Sequence, residues 1–136
     1  MELDLVKTGT RVEADGGGEP FDISASRTRT FLLVMHITEQ IEQESLDVLI
    51  FGSADGQAWD AKPILKLPQQ FYCGETRAVL DLTLRPQTRF IRVRWVLNRW
   101  GRVAPTPMFV FDLHATEVSA MPSAVTPAQL AATGKS

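Results

Sequence analysis

The stretch Leu97-Asn98-Arg99-Trp100-Gly101-Arg102 holds the residue types best suited to recognition chemistry in this chain. An indole face flanked by two guanidinium groups and an amide suits a sugar ring or a stacked base. The competing use of the same residues is structural. Trp100 would close the end of a β-sandwich, with Arg99 and Arg102 stacked on it or paired with acids. Half-buried tryptophans are common in folded domains, which favours that use. A second aromatic pair lies in Gln69-Gln70-Phe71-Tyr72-Cys73-Gly74. It offers a contact patch, unless one of the two rings is core. The candidate ligand-binding residues are therefore Trp100, Arg99, Arg102, Asn98, Tyr72 and Phe71.

Catalytic and metal chemistry find little support in the residues. Cys73 has no base near it in sequence, and His36 and His114 both lie in strand-like runs. A Cys–His nucleophile has nothing local to recommend it. One Cys and two His form no H-x-H, C-x-x-C or EF-hand pattern. Asp55 and Asp60 are the acids to watch for a loop-bound calcium, though turn geometry is their simpler role. No P-loop, dinucleotide-binding or nucleophile-elbow motif is present. The expectation is a protein that is not an enzyme, with no metal and no cofactor.

Arg85, Arg89, Arg92, Arg94, Arg99 and Arg102 make an Arg-rich region. Arg92 and Arg94, two residues apart, share one face of a strand. Such a ladder can hold phosphate. Nucleic acid is nevertheless disfavoured, because the chain is acidic overall, lysine is scarce and no known nucleic-acid motif appears. The simplest expectation is cross-strand pairing with acids, and protein contact is the intermediate one.

The elements that must position these residues are strands. Phe31-Leu32-Leu33-Val34-Met35-His36-Ile37 has apolar residues on both faces, as a central strand would. Leu46–Phe51 and Ala78–Leu82 alternate. The clearest alternation sends Ile91, Val93, Trp95 and Leu97 one way and Arg92 and Arg94 the other. A last strand spans about Met108–Val118, with Phe109, Phe111 and Leu113 inward. Weaker strands fall at Leu3–Val6, Thr10–Glu13, Phe21–Ile23 and Ile64–Leu67. Turn chemistry separates them, at Asp15-Gly16-Gly17-Gly18, Asp55-Gly56, Cys73-Gly74 and several prolines. Thr38–Ser45 reads as one helical turn or a long loop. About nine short strands imply an all-β fold, a two-sheet antiparallel sandwich or small barrel. The sandwich domain spans 1–118. Residues 119–136, rich in Ala, Pro, Ser and Thr, form a tail that is flexible or docks on a partner.

Ser53-Ala54-Asp55-Gly56-Gln57-Ala58-Trp59 reads S-x-D-G-x-x-W directly after a strand, and Arg89-Phe90-Ile91-Arg92-Val93 follows some thirty residues on. Together they resemble the discoidin family (coagulation factor 5/8 type C) over about residues 46–118. That resemblance implies a jelly-roll sandwich with a galactose-binding-like fold. The family's terminal cysteine pair is absent here. So is its Trp-x-x-x-Asp-Leu segment, of which Phe21-Asp22-Ile23 is a faint echo, and no binding residue carries over.

Composition bounds the rest. With 136 residues, 44% hydrophobic and 22% charged, the chain suits one domain with its own core. No apolar run approaches the roughly 20 residues of a membrane helix. The start Met1-Glu2-Leu3-Asp4 is unlike a secretory leader, and the single cysteine suits a reducing, cytoplasmic setting. The net charge of -2 conceals a division. Residues 1–60 carry 12 acids and 4 bases, a net of -8, and the remainder 4 acids and 10 bases, a net of +6. Interleaving of these charges across paired strands would make the division a matter of folding. Two separate faces would favour association. The leading expectation is a non-catalytic binding module for carbohydrate, protein or another surface ligand. The alternative is a structural subunit of a homo-oligomer or larger assembly.

Overall fold

Alternation along each long strand decides which side chains turn inward, and the strands sort accordingly into two layers. The computed structural model describes residues 1–100 and 106–119. The strands are β1 (Glu2–Val12), β2 (Gly16–Gly17), β3 (Phe21–Asp22), β4 (Thr30–Gln40), β5 (Glu44–Ser53), β6 (Leu65–Lys66), β7 (Gly74–Asp81), β8 (Phe90–Arg99) and β9 (Phe109–Glu117). One sheet has the order β1-β9-β4-β7. The other has the order β2-β8-β5-β6, with β3 also on β8. The pairing is nested and antiparallel throughout: β1 with β9, β2 and β3 with β8, β4 with β7, β5 with β6. Such nesting is one long hairpin folded over itself, which is a jelly roll.

The inner faces meet in one core. Phe31, Leu33, Met35 and Ile37 of β4 face Leu46, Val48 and Ile50 of β5 and Ile91 and Val93 of β8. Phe109, Phe111, Leu113 and Ala115 complete the β9 side. Trp95 meets Phe111 edge-on between the sheets, with ring centroids 5.8 Å apart. Each large side chain buried here contributes roughly 1.5–3 kcal/mol. β4 is central in its sheet, as its two apolar faces imply, and Leu32 and Val34 are half-buried on its outer side.

Several boundaries differ from the sequence reading. Leu3–Val6 and Thr10–Glu13 belong to a single strand, β1, which bulges between them, with Gly9 at φ 80. The Asp15–Gly18 turn contains β2, because a glycine can lie flat against β8 where a Cβ at Gly17 would come within 2.9 Å of the Val93 carbonyl oxygen. Thr38–Ser45 is neither a helical turn nor a long loop. β4 runs to Gln40, β5 starts at Glu44, and Gln43 turns the corner at φ 61. Buried Glu44 fixes that corner by accepting from the Ile41 and Met108 amides at 2.8 Å each. Arg102 and the tail from residue 120 lie outside the described residues.

The first and last strands are tied together at Glu117. One carboxylate oxygen accepts from Ser26 Oγ at 2.8 Å and from the Arg27 and Thr28 amides at 2.7 Å each. The other lies 3.5 Å from the Met1 ammonium. These donors, led by the Thr28 amide, hold the Glu117 carboxyl down at about 2, against an ordinary 4.5. A depressed carboxylate stabilises the fold above its unfolded value and loses that contribution as pH falls through its folded value. Glu117→Gln should therefore cost about 2 kcal/mol near neutrality, on the scale of hydrogen bonds to a charged acceptor. Urea denaturation at several pH values checks this. The difference from wild type should be full above pH 4.5 and disappear towards about 2, whereas a pH-independent difference would contradict the assignment.

Candidate functional site

Phe71, Tyr72 and Trp100 come together at one end of the sandwich. Glu44 at the start of β5 pairs with Arg99 at the end of β8, and Leu46 bridges to Gln70. These two registers bring the Phe71–Tyr72 loop alongside the residue that follows β8. The Phe71 ring lies 6.4 Å from Tyr72 and 6.3 Å from Trp100, tilted at 50° and 67°. The rings, with Glu42, Gln43 and Glu44, enclose a hollow of about 320 Å³. All three are exposed: Phe71 by 40%, Tyr72 by 74% and Trp100 by 56%. Neither Phe71 nor Tyr72 is core, and Trp100 does not cap the sandwich. Arg99 donates to the Glu42 carbonyl and so braces the β4–β5 corner beneath the rings. Asn98 is exposed on the strand opposite Ser45.

The chemistry of this end follows from its parts. Three apolar faces at angles offer surfaces for the C–H faces of a ring. Glu42 and Gln43 are exposed beside them and supply acceptors and an amide for hydroxyl groups. Among the described residues at this end, no base is shown bonded to a nucleophile. Cys73 is an exposed free thiol in the same loop. Among the described residues, no three His, Cys, Asp or Glu side chains are grouped to hold a metal ion.

The S-x-D-G-x-x-W turn does what its residue types require. Asp55 Oδ1 accepts from the Gln57 and Ala58 amides at 2.8 and 2.9 Å. Ser53 Oγ donates to the Ala58 carbonyl at 2.6 Å and accepts from the Gly56 amide. Gly56 takes φ 82 against the Phe90 ring. The backbone donors, the Gln57 amide first, hold the Asp55 carboxyl below its usual range. Trp59 then folds back onto the outer face of β8, where the Arg92 guanidinium lies 4.4 Å from its ring centroid.

Known proteins add no family to this description: the chain matches no family model and no curated protein.

Two features of the outer faces escape a sequence reading. Among the described residues, Arg92 and Arg94 of β8 form no ion pair with an acid. Arg92 stands opposite Phe51 and Arg94 opposite Leu49. Acids gather instead on the outside of the other sheet, around the two histidines. His36 Nδ1 lies 3.2 Å from Asp112 and its Nε2 lies 3.0 Å from Glu75. His114 Nδ1 lies 2.8 Å from Asp4 and its Nε2 lies 3.3 Å from Glu2. The signal for this was alternation alone, since His36, Asp112 and His114 all point away from the core, but the partners depend on register between distant strands.

The Asp112 hydrogen bond, then Glu75, raises His36 above its ordinary 6.5, and Asp4, then Glu2, does the same for His114. A raised histidine stabilises the fold fully below its unfolded value and loses that contribution as pH rises through its folded value. NMR titration should put both midpoints above 6.5. Asp112→Asn should lower the His36 midpoint and Asp4→Asn that of His114. Midpoints at or below 6.5 in the wild type would contradict the geometry.

Proposed function

We propose that this protein is a non-catalytic binding module that takes a carbohydrate at its aromatic end. One observation carries the reading: Phe71, Tyr72 and Trp100 form a contiguous set of exposed rings. An exposed apolar cluster rimmed by polar groups is a contact site by default. The hollow between the rings has Glu42 and Gln43 at its edge, so stacking and hydroxyl recognition converge in one place. The S-x-D-G-x-x-W turn on a jelly-roll sandwich supports the resemblance to discoidin domains, which are binding modules. A panel of immobilised glycans tests the proposal. Trp100→Ala should weaken binding roughly tenfold or more, as loss of a central anchor does, while the melting temperature stays near wild type. A large loss of stability would make Trp100 a structural residue. Silence across the panel would remove the proposal.

The separation of charge carries a second reading, that of a subunit in a homo-oligomer or larger assembly. Carboxylates surround the histidines on one outer face, and Arg92 and Arg94 lie on the other. Patches of opposite sign on the two outer faces of one molecule suit contact between copies. Light scattering across salt concentrations should then show a mass that falls towards the monomer as screening increases. A monomer at every salt and protein concentration would exclude this reading.

A further inference from the structure

The outer face of the β8 sheet carries a cleft well separated from the aromatic end. Arg92 and Trp100 are eight residues apart on an extended strand, roughly 26 Å. The cleft has a volume of about 410 Å³, and its chemistry comes from Arg92, Arg94, Trp59, Asp60 and Phe51. Three properties define what it can hold. First, Arg92 and Arg94 share one strand face with their Cα atoms roughly 7 Å apart, and among the described residues neither has a carboxylate within salt-bridge distance. Their strand neighbours across the pair are Phe51 and Leu49, and the one carboxylate in the lining, Asp60, makes no ion pair with either. Second, the Trp59 ring fixes the Arg92 guanidinium by stacking at 4.4 Å. A guanidinium held flat presents its N–H edge as a ready fork for a carboxylate or sulfate. Third, the Gly16–Gly18 wall has no side chains, and exposed Asp60 stands in the lining as an acceptor for hydroxyl groups. The space greatly exceeds that needed by a bare anion, a water molecule occupying about 30 Å³.

We infer that this cleft binds an acidic carbohydrate, a hydroxylated ring bearing a carboxylate or sulfate, with Arg92 and Arg94 on the anionic group, Asp60 on ring hydroxyls and Phe51 and Trp59 as the apolar walls. The inference stands apart from the aromatic end, because no residue is common to the two places. It also gives a use to the lack of acids directly opposite Arg92 and Arg94.

Calorimetric titration of the full chain with glucuronate, a 6-sulfated N-acetylglucosamine, glucose and inorganic sulfate tests it. Both acidic sugars should bind more tightly than glucose and than sulfate. Arg94→Gln, an exposed position whose loss leaves packing intact, should weaken the acidic sugars about tenfold, the worth of one hydrogen-bonded charge pair. Arg92→Lys keeps the charge, loses the fork and should weaken them too. Trp100→Ala should leave these affinities unchanged, which separates failure of this site from failure of the aromatic end. Equal binding of glucose and glucuronate would overturn the inference, as would sulfate binding as tightly as the sulfated sugar. No binding of either acidic sugar at millimolar concentration would also overturn it. A change of oligomeric state in Arg94→Gln would do so by making the cleft a contact between copies.

Discussion

The sandwich depends on β9 lying between β1 and β4. The last long strand fills the middle of its sheet, so neither the first strand nor β4 has its inner partner until nearly the whole chain is present. Every inward residue of β9 from Phe109 to Ala115 is fully buried there. Glu117 then locks the arrangement by gathering backbone amides of the Ser26–Thr28 loop and the chain's own ammonium group. Non-local pairing of this kind must be closed against chain entropy before burial returns any stability. In exchange, much of the two outer faces stays open to solvent.

The surface features lie on those open faces. Residues on the outer sides of β8 and β9 differ in kind. Arginines stand on one side with aromatic and aliphatic neighbours. Histidines stand on the other side, each between two carboxylates. The division of charge along the chain does not carry over to the faces: Glu75 and Asp112 of the basic half join Glu2 and Asp4 around the histidines, and Asp47 and Asp60 of the acidic half stand on the sheet of Arg92 and Arg94. At the end of the sandwich, buried Glu44 and the Arg99 contact to the Glu42 carbonyl hold a tight corner. That corner gives the three exposed rings a firm base without drawing them into the core.

Much of the fold was legible in the residues. The alternation of Ile91, Val93, Trp95 and Leu97 against Arg92 and Arg94 specified both a strand and its inner face, because period two leaves no other assignment. The Asp55-Gly56 turn was legible for the same reason, since its donors and acceptors lie within a few residues. Other features depended on distant partners. Gly16–Gly17 reads as a turn until β8 is beside it, and Thr38–Ser45 reads as loop until Glu44 is seen to bond the Met108 amide. In the candidate site, exposed Phe71, Tyr72 and Trp100 were visible as residue types, but their meeting depends on the register of β5 with β8 and on the Leu46–Gln70 bridge. The Trp59–Arg92 stack was hidden altogether, because each half was accounted for locally, one as a turn residue and the other as a strand face.

On the proposed reading, a sandwich carries its recognition chemistry on its exposed end and outer face. Mapping amide chemical shifts while titrating neutral and acidic sugars tests this most directly. Shifts should concentrate at Glu42–Glu44, Phe71–Tyr72 and Trp100 for one class of ligand and at Gly16–Gly18, Trp59–Asp60 and Arg92–Arg94 for the other, with the inner residues of β4 and β9 unmoved. Shifts spread through β4 and β9, or confined to the His36 and His114 face, would contradict it.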